Sequence, residues 1–207
     1  MAYSDFTLIA LKEKFQVVIE EKINIFPDIQ EEKISDYLDE TLGENIPLAL
    51  AIHTEKARSE MIVTPILIEL RKVLNRRISL FSGVEFNVDK AKGLNGVCDY
   101  LISLSEEQLY VSSPVIAVVE AKNDNIKSGL AQCAAEMIAA GLFNAQHGSP
   151  INQVYGIVTT GSIWKFLKLE GTTLYIDIKE YYIEQLGKIM GILRHIIRLE
   201  LGESELS

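Results

Sequence analysis

The chain has 207 residues, a hydrophobic fraction of 48%, a charged fraction of 24% and a net charge of −9. That size fits one domain with a sizeable core. The composition excludes a fibrous or low-complexity protein, and the acidic balance argues against a constitutive, tight nucleic-acid binder, which usually carries a basic footprint. No apolar run approaches the roughly 20 residues of a membrane helix, and residues 1–15 lack a basic start followed by an apolar core, so no secretory signal is expected. Cys98 and Cys133, the two cysteines, lie in apolar surroundings and read as buried free thiols of a cytoplasmic protein, not as a disulfide or a zinc site.

In residues 1–52, Leu8, Leu11, Phe15, Val18, Ile19 and Ile23 recur at helical spacing, which predicts a helix that Pro27 ends. Residues 31–41 are acidic and read as a short helix or an edge strand. The whole segment is expected to cap one end of the fold. From Thr54, an acceptable N-cap, Met61, Pro65, Leu67, Ile68, Leu70 and Leu74 give a broad apolar surface, as for a helix packed on a sheet. Pro65 should kink or interrupt that helix. Glu60 stands on its polar side.

Residues 78–89 alternate as a strand does, and a glycine-containing loop follows at 91–96. Two Val/Ile-rich segments, 95–104 and 114–123, flank the polar break at 105–108 and read as antiparallel strands. If Leu104 faces Pro114, Asp99 lies opposite Glu120 or one step off, where facing Cβ atoms sit about 4.5–5.5 Å apart. Alternation then points Glu120 and Lys122 one way, and Val119 and Ala121 the other. A helix is predicted over 124–143, capped by Asp124 or Asn125, with Ile126, Leu130, Cys133, Ala134, Met137, Ile138 and Leu142 on its buried side. Its Ala and Gly content lets it sit close to a sheet.

A short buried strand closes at Gly161, a hairpin turns at Glu170-Gly171, and a helix is predicted over 181–201, followed by a polar, frayed tail at 202–207. The strand–helix–strand step from Glu120 to Val154 has the length of a parallel crossover. The expected architecture is α/β: an αβββαβ core at 53–161 with a mixed sheet flanked by helices, extended by a C-terminal hairpin and helix at 162–201.

Charges on a central strand need a reason. Asp99 at the end of one strand, Glu120-x-Lys122 on the next and a helix after it resemble the PD-(D/E)XK nuclease superfamily, whose core has this αβββαβ order. The resemblance matches Asp99 to the family's first acid, and Glu120 and Lys122 to its Glu-x-Lys. Glu60 matches an acid on the preceding helix, and Gln132 a glutamine on the following one. Cys98 stands where the family name implies proline. SEMIVTPILIEL and VYGIVTTGSIWKFLKLEG look like the N-terminal nuclease domain of type I restriction enzyme motor subunits.

The resemblance implies metal-dependent hydrolysis of DNA. Asp99 and Glu120 would hold Mg²⁺ or Mn²⁺, hard cations that take oxygen ligands, with the Ala121 carbonyl and Glu60 as further donors. Lys122 would stabilise developing charge, and Gln132 would bond Lys122, the water or a phosphate oxygen. DNA is the expected substrate, and a homodimer or a protein partner supplying DNA targeting is compatible with the charge. The alternative is a nuclease-like module that binds protein or nucleic acid without catalysis. Trp164 reads as core, and His53, His147 and His195 lack ligand spacing.

Overall fold

The computed structural model describes residues 1–202. The expected tail at 203–207 lies outside them. Among the described residues the sheet has eight strands in the order β1-β7-β6-β5-β4-β3-β2, with β8 paired to β6. These are β1 (Val18–Ile23), β2 (Ser79–Glu85), β3 (Val97–Ser103), β4 (Val115–Ala121), β5 (Gln153–Thr159), β6 (Ile163–Glu170), β7 (Thr173–Asp177) and β8 (Tyr181–Tyr182). The β4/β5 and β1/β7 pairs are parallel and the others antiparallel, so the sheet is mixed as expected.

Helices cover both faces. On one lie α2 (Asp36–Ile52), α3 (Glu55–Arg58), α4 (Thr64–Val73) and α6 (Leu186–Glu200). On the other lie α1 (Leu8–Phe15) and α5 (Ile126–Gln146). From α3 to β5 the elements follow the αβββαβ order, and β4, α5 and β5 form the parallel crossover.

The N-terminal residues depart from their expectation. The predicted helix stops at Gln16, which adopts a left-handed backbone (φ 56°), and residues 18–23 instead pair with β7 as an edge strand. Branched Val18, Ile19 and Ile23 suit a strand better than a helix. Of residues 31–41, expected as a short helix or an edge strand, 31–35 belong to no element and 36–41 open the 17-residue α2, capped by the Ser35 hydroxyl at the Leu38 N–H. Residues 1–52 therefore reach both faces and one edge of the sheet.

Thr54 caps α3 through the Ala57 N–H. Pro65 marks a change in the helix, as expected: α3 passes into a π-helical turn (Ser59–Val63), and α4 begins at Thr64 with Pro65 in its first turn. Proline cannot donate to the carbonyl four residues back. Asn45 Nδ2 takes that place, donating to Met61 O at 2.9 Å. Ile68, expected on the buried side, is exposed.

The last helix also starts later than predicted. Tyr181 and Tyr182 pair with Trp164 and Ile163, and α6 begins only at Leu186. Trp164 is core, its indole N–H donating to Gly161 O at 3.0 Å. Asn125, not Asp124, caps α5. Small residues bring α5 onto the sheet: a Cβ at Gly129 would lie 2.7 Å from Val158 Cγ1 and 3.1 Å from Lys122 Cγ.

Candidate functional site

The site grows from the register of β3 and β4. Leu104 N donates to Pro114 O, as the pairing assumed, and a shift between Ile102 and Ser103 moves the ladder by one. Beyond it Ile102 faces Ala117, Leu101 faces Val118 and Tyr100 faces Val119. Asp99 and Glu120 are the next positions along the two strands. The irregularity decides between the two registers that the sequence allowed.

The strands are stitched by a side chain there. Asp99 Oδ2 accepts a hydrogen bond from the Ala121 N–H at 2.8 Å, while Lys122 N bonds Thr159 O of β5 at 2.8 Å. Val119 packs into the core beneath α2, α4 and α6, and Val118 beneath α5. By alternation Glu120 follows Val118. Glu120 is 1% exposed, and its Oε1 pairs with Lys122 Nζ. Lys122 Nζ also reaches Gln132 Oε1 at 3.5 Å, across from α5. Asp99, Glu120, Lys122 and Gln132 are thus brought together.

Glu60 is not joined to them. It stands with Asp99 and Ala121 on the lining of a cleft of about 330 Å³ that also includes Glu55, Lys56, Ser59, Ser82, Gly83 and Tyr100. Its side chain is 61% exposed and pairs with Lys56 at 3.7 Å. Among the described residues no group of three or more His, Cys, Asp or Glu is arranged to hold a metal ion, so Glu60, Asp99 and Glu120 form no preassembled three-acid cluster. The cleft wall is fixed to β3 by the π-turn. Ser59 O accepts from Tyr100 OH at 3.0 Å and from Thr64 Oγ1 at 3.1 Å, which holds the residue after Asp99 against the helix.

Electrostatics follow from burial. Burial and the Asp99 charge push Glu120 up to about 7 against the pull of Lys122. Burial also raises Asp99, opposed by the Ala121 N–H and by Lys122. For Lys122, burial lowers the pKa but the Glu120 carboxylate outweighs it, so the ammonium is held above its ordinary value.

One residue of this cluster was not singled out from the sequence. Glu136 is fully buried (0% exposed), and its Oε1 accepts from Gln132 Nε2 at 3.3 Å. Burial and the neighbouring Glu120 raise its pKa well above the carboxylate range. With both groups ionised, Glu120 Oε2 and Glu136 Oε2 have no hydrogen-bond partner. A proton on Glu136 relieves this by allowing one carboxyl to donate to the other. The available signal was a lone acid inside the apolar run CAAEMIAA, four residues after Gln132 and so on the same helix face.

Both cysteines are free and buried, as expected. No helix among the described residues is long and apolar enough to cross a membrane. No family model, curated protein or solved structure matches the chain.

Proposed function

We propose that this chain hydrolyses phosphodiester bonds of DNA with a divalent cation, Mg²⁺ or Mn²⁺, held by Asp99 and Glu120. The observation that carries the reading is the meeting of Asp99, Glu120 and Lys122 at the ends of two paired strands, with Gln132 reaching in from α5. The αβββαβ order of the surrounding elements supports it.

The residues fit such an ion. Glu120 Oε2 is buried beside the Glu136 carboxyl with no cation or N–H to satisfy it, and Mg²⁺ binds through one or two carboxylates and takes its remaining ligands from waters and substrate phosphate. Asp99 supplies a second oxygen donor already oriented by the Ala121 N–H, and the Ala121 carbonyl and Glu60 serve as further donors, Glu60 through water. The cation contributes Lewis acidity, polarising the scissile phosphate and making an attacking water more acidic. Lys122, kept protonated by Glu120, stabilises the negative charge that develops on the phosphate. Gln132 accepts from the ammonium and limits its swing.

Phosphate must approach past Glu55 and Glu60 on the cleft wall, on a chain of net charge −9. A homodimer or a protein partner that supplies basic surface would offset this repulsion. The free thiols suit the reducing cytoplasm. A second reading, a nuclease-like binding module without catalysis, is favoured by the near-complete burial of Glu120 and its pairing with Lys122.

The test is incubation of purified protein with Mg²⁺ or Mn²⁺ and duplex, single-stranded and branched DNA. Cleavage that chelation abolishes, and that Asp99→Ala and Lys122→Ala lose, supports hydrolysis. Cleavage unchanged in both variants belongs to a contaminant, and absence of both cleavage and ion binding favours the second reading.

A further inference from the structure

Glu136 has no part in the chemistry above, yet it is the most completely buried charge-bearing side chain beside the site. Its position on α5, one turn after Gln132, places the two side chains on one face of the helix. Among the described residues no cation pairs with Glu136; its carboxyl accepts from Gln132 Nε2 at 3.3 Å and lies against the Glu120 carboxyl. Gln132 in turn presents its Oε1 to Lys122 Nζ at 3.5 Å.

A glutamine amide has a donor end and an acceptor end, and rotation by half a turn exchanges them. If the amide flipped, its NH₂ would face the Lys122 ammonium and its carbonyl would face the Glu136 carboxyl, so that donor met donor. Glu136 offers an acceptor on the α5 side, which selects one of the two orientations. We propose that Glu136 is a positioning residue: it fixes the Gln132 amide so that its oxygen faces Lys122, and through that oxygen it sets where the ammonium sits beside Glu120. The proposal rests on the nuclease reading only for its effect on rate, because the hydrogen-bond relay exists without it.

A structural role alone explains the burial poorly. A buried carboxyl without a cation is costly, and an apolar side chain of similar shape is often as stable or more so. Replacement by methionine therefore separates positioning from folding. Glu136→Met is expected to keep or raise the melting temperature and to lower kcat by about 10-fold or more, as loss of outer-shell partners commonly does, with KM little changed. Glu136→Gln, which retains an acceptor for Gln132 Nε2, is expected to recover most of that loss.

The second measurement does not need activity. The side-chain amide of Gln132 and the ammonium of Lys122 are followed by ¹H–¹⁵N NMR in the metal-free protein. Glu136→Met should shift both signals and speed exchange of their protons, and Glu136→Gln should leave both near their wild-type positions. Unchanged Gln132 and Lys122 signals in Glu136→Met overturn the proposal. If the protein cleaves nothing but the signals move as stated, the relay stands and the nuclease reading fails.

Discussion

Asp99 Oδ2 lies 2.8 Å from the backbone nitrogen of Ala121, so an acid of β3 is held by a peptide of β4 that separates Glu120 from Lys122. The contact does two things at once. It closes the strand pair where the ladder ends, and it fixes one carboxylate beside another that is buried.

The first consequence is a variant that loses both. Asp99→Ala removes the acceptor for the Ala121 N–H, a partly buried donor, and should cost about 1–2 kcal/mol of stability. Asp99→Asn keeps an acceptor oxygen and should recover most of that loss while still failing to bind the ion. Chemical denaturation of the two variants alongside Mn²⁺ titration checks the separation.

Glu120 sets a pH dependence. Its folded pKa of about 7 lies above the ordinary 4.5, so its contribution to stability is fully present below about pH 4.5 and is lost as pH rises through 7. Asp99 and Glu136 are raised as well and act in the same direction. On the proposed reading a divalent cation takes the ionised form, which would reverse the trend. Its apparent affinity should rise up to about tenfold per pH unit below 7 and level off above. Calorimetry with Mn²⁺ between pH 5.5 and 8.5 reads this slope directly.

Lys122 opposes that shift. Without it, Glu120 loses the cation that lowers its pKa, so Lys122→Met should raise the carboxyl's pKa further. The variant's loss of stability should then be larger at pH 8 than at pH 6, where Glu120 is mostly protonated in both proteins. Thermal melting at the two pH values measures the difference.

Gly129 carries a packing prediction. An added Cβ would stand 2.7 Å from Val158 Cγ1 and 3.1 Å from Lys122 Cγ, so α5 or the lysine must move. Gly129→Ala should cost about 1–3 kcal/mol despite alanine's better helix propensity, and should weaken cleavage by displacing Lys122. Denaturation and a cleavage assay on the same preparation test both halves.

The parts of this molecule that were legible in the sequence are those in which one periodicity ruled. Strands β3 and β4 are short Val/Ile runs with a parity that puts Glu120 and Lys122 on one side. Their register could be counted to within one residue, and the shift at Ser103 supplied the rest. Helix α5 was readable from its small and apolar residues. The stretch from Leu8 to Ile23 was not, because its apolar spacing suits a helix while its second half is claimed by pairing with β7, a partner about 150 positions away. Pro65 announced the change of helix at Thr64, but not that the Met61 carbonyl it strands is satisfied by Asn45 from another helix. At the site, Glu60 resembles its companions in residue type, but its side chain is 61% exposed and lies beside Lys56 on the cleft wall. Glu136 was hidden among alanines, where no motif marks a lone acid.

The proposed hydrolysis requires a divalent ion shared by Asp99 and Glu120. A crystal soaked in Mn²⁺ locates that ion by its anomalous scattering. The expected result is a peak within bonding distance of one Asp99 carboxyl oxygen and one Glu120 carboxyl oxygen, with Lys122 turned toward the cleft. A map in which Glu120 keeps its pairing with Lys122 and no ion touches Asp99, at Mn²⁺ concentrations that saturate other sites, would contradict it.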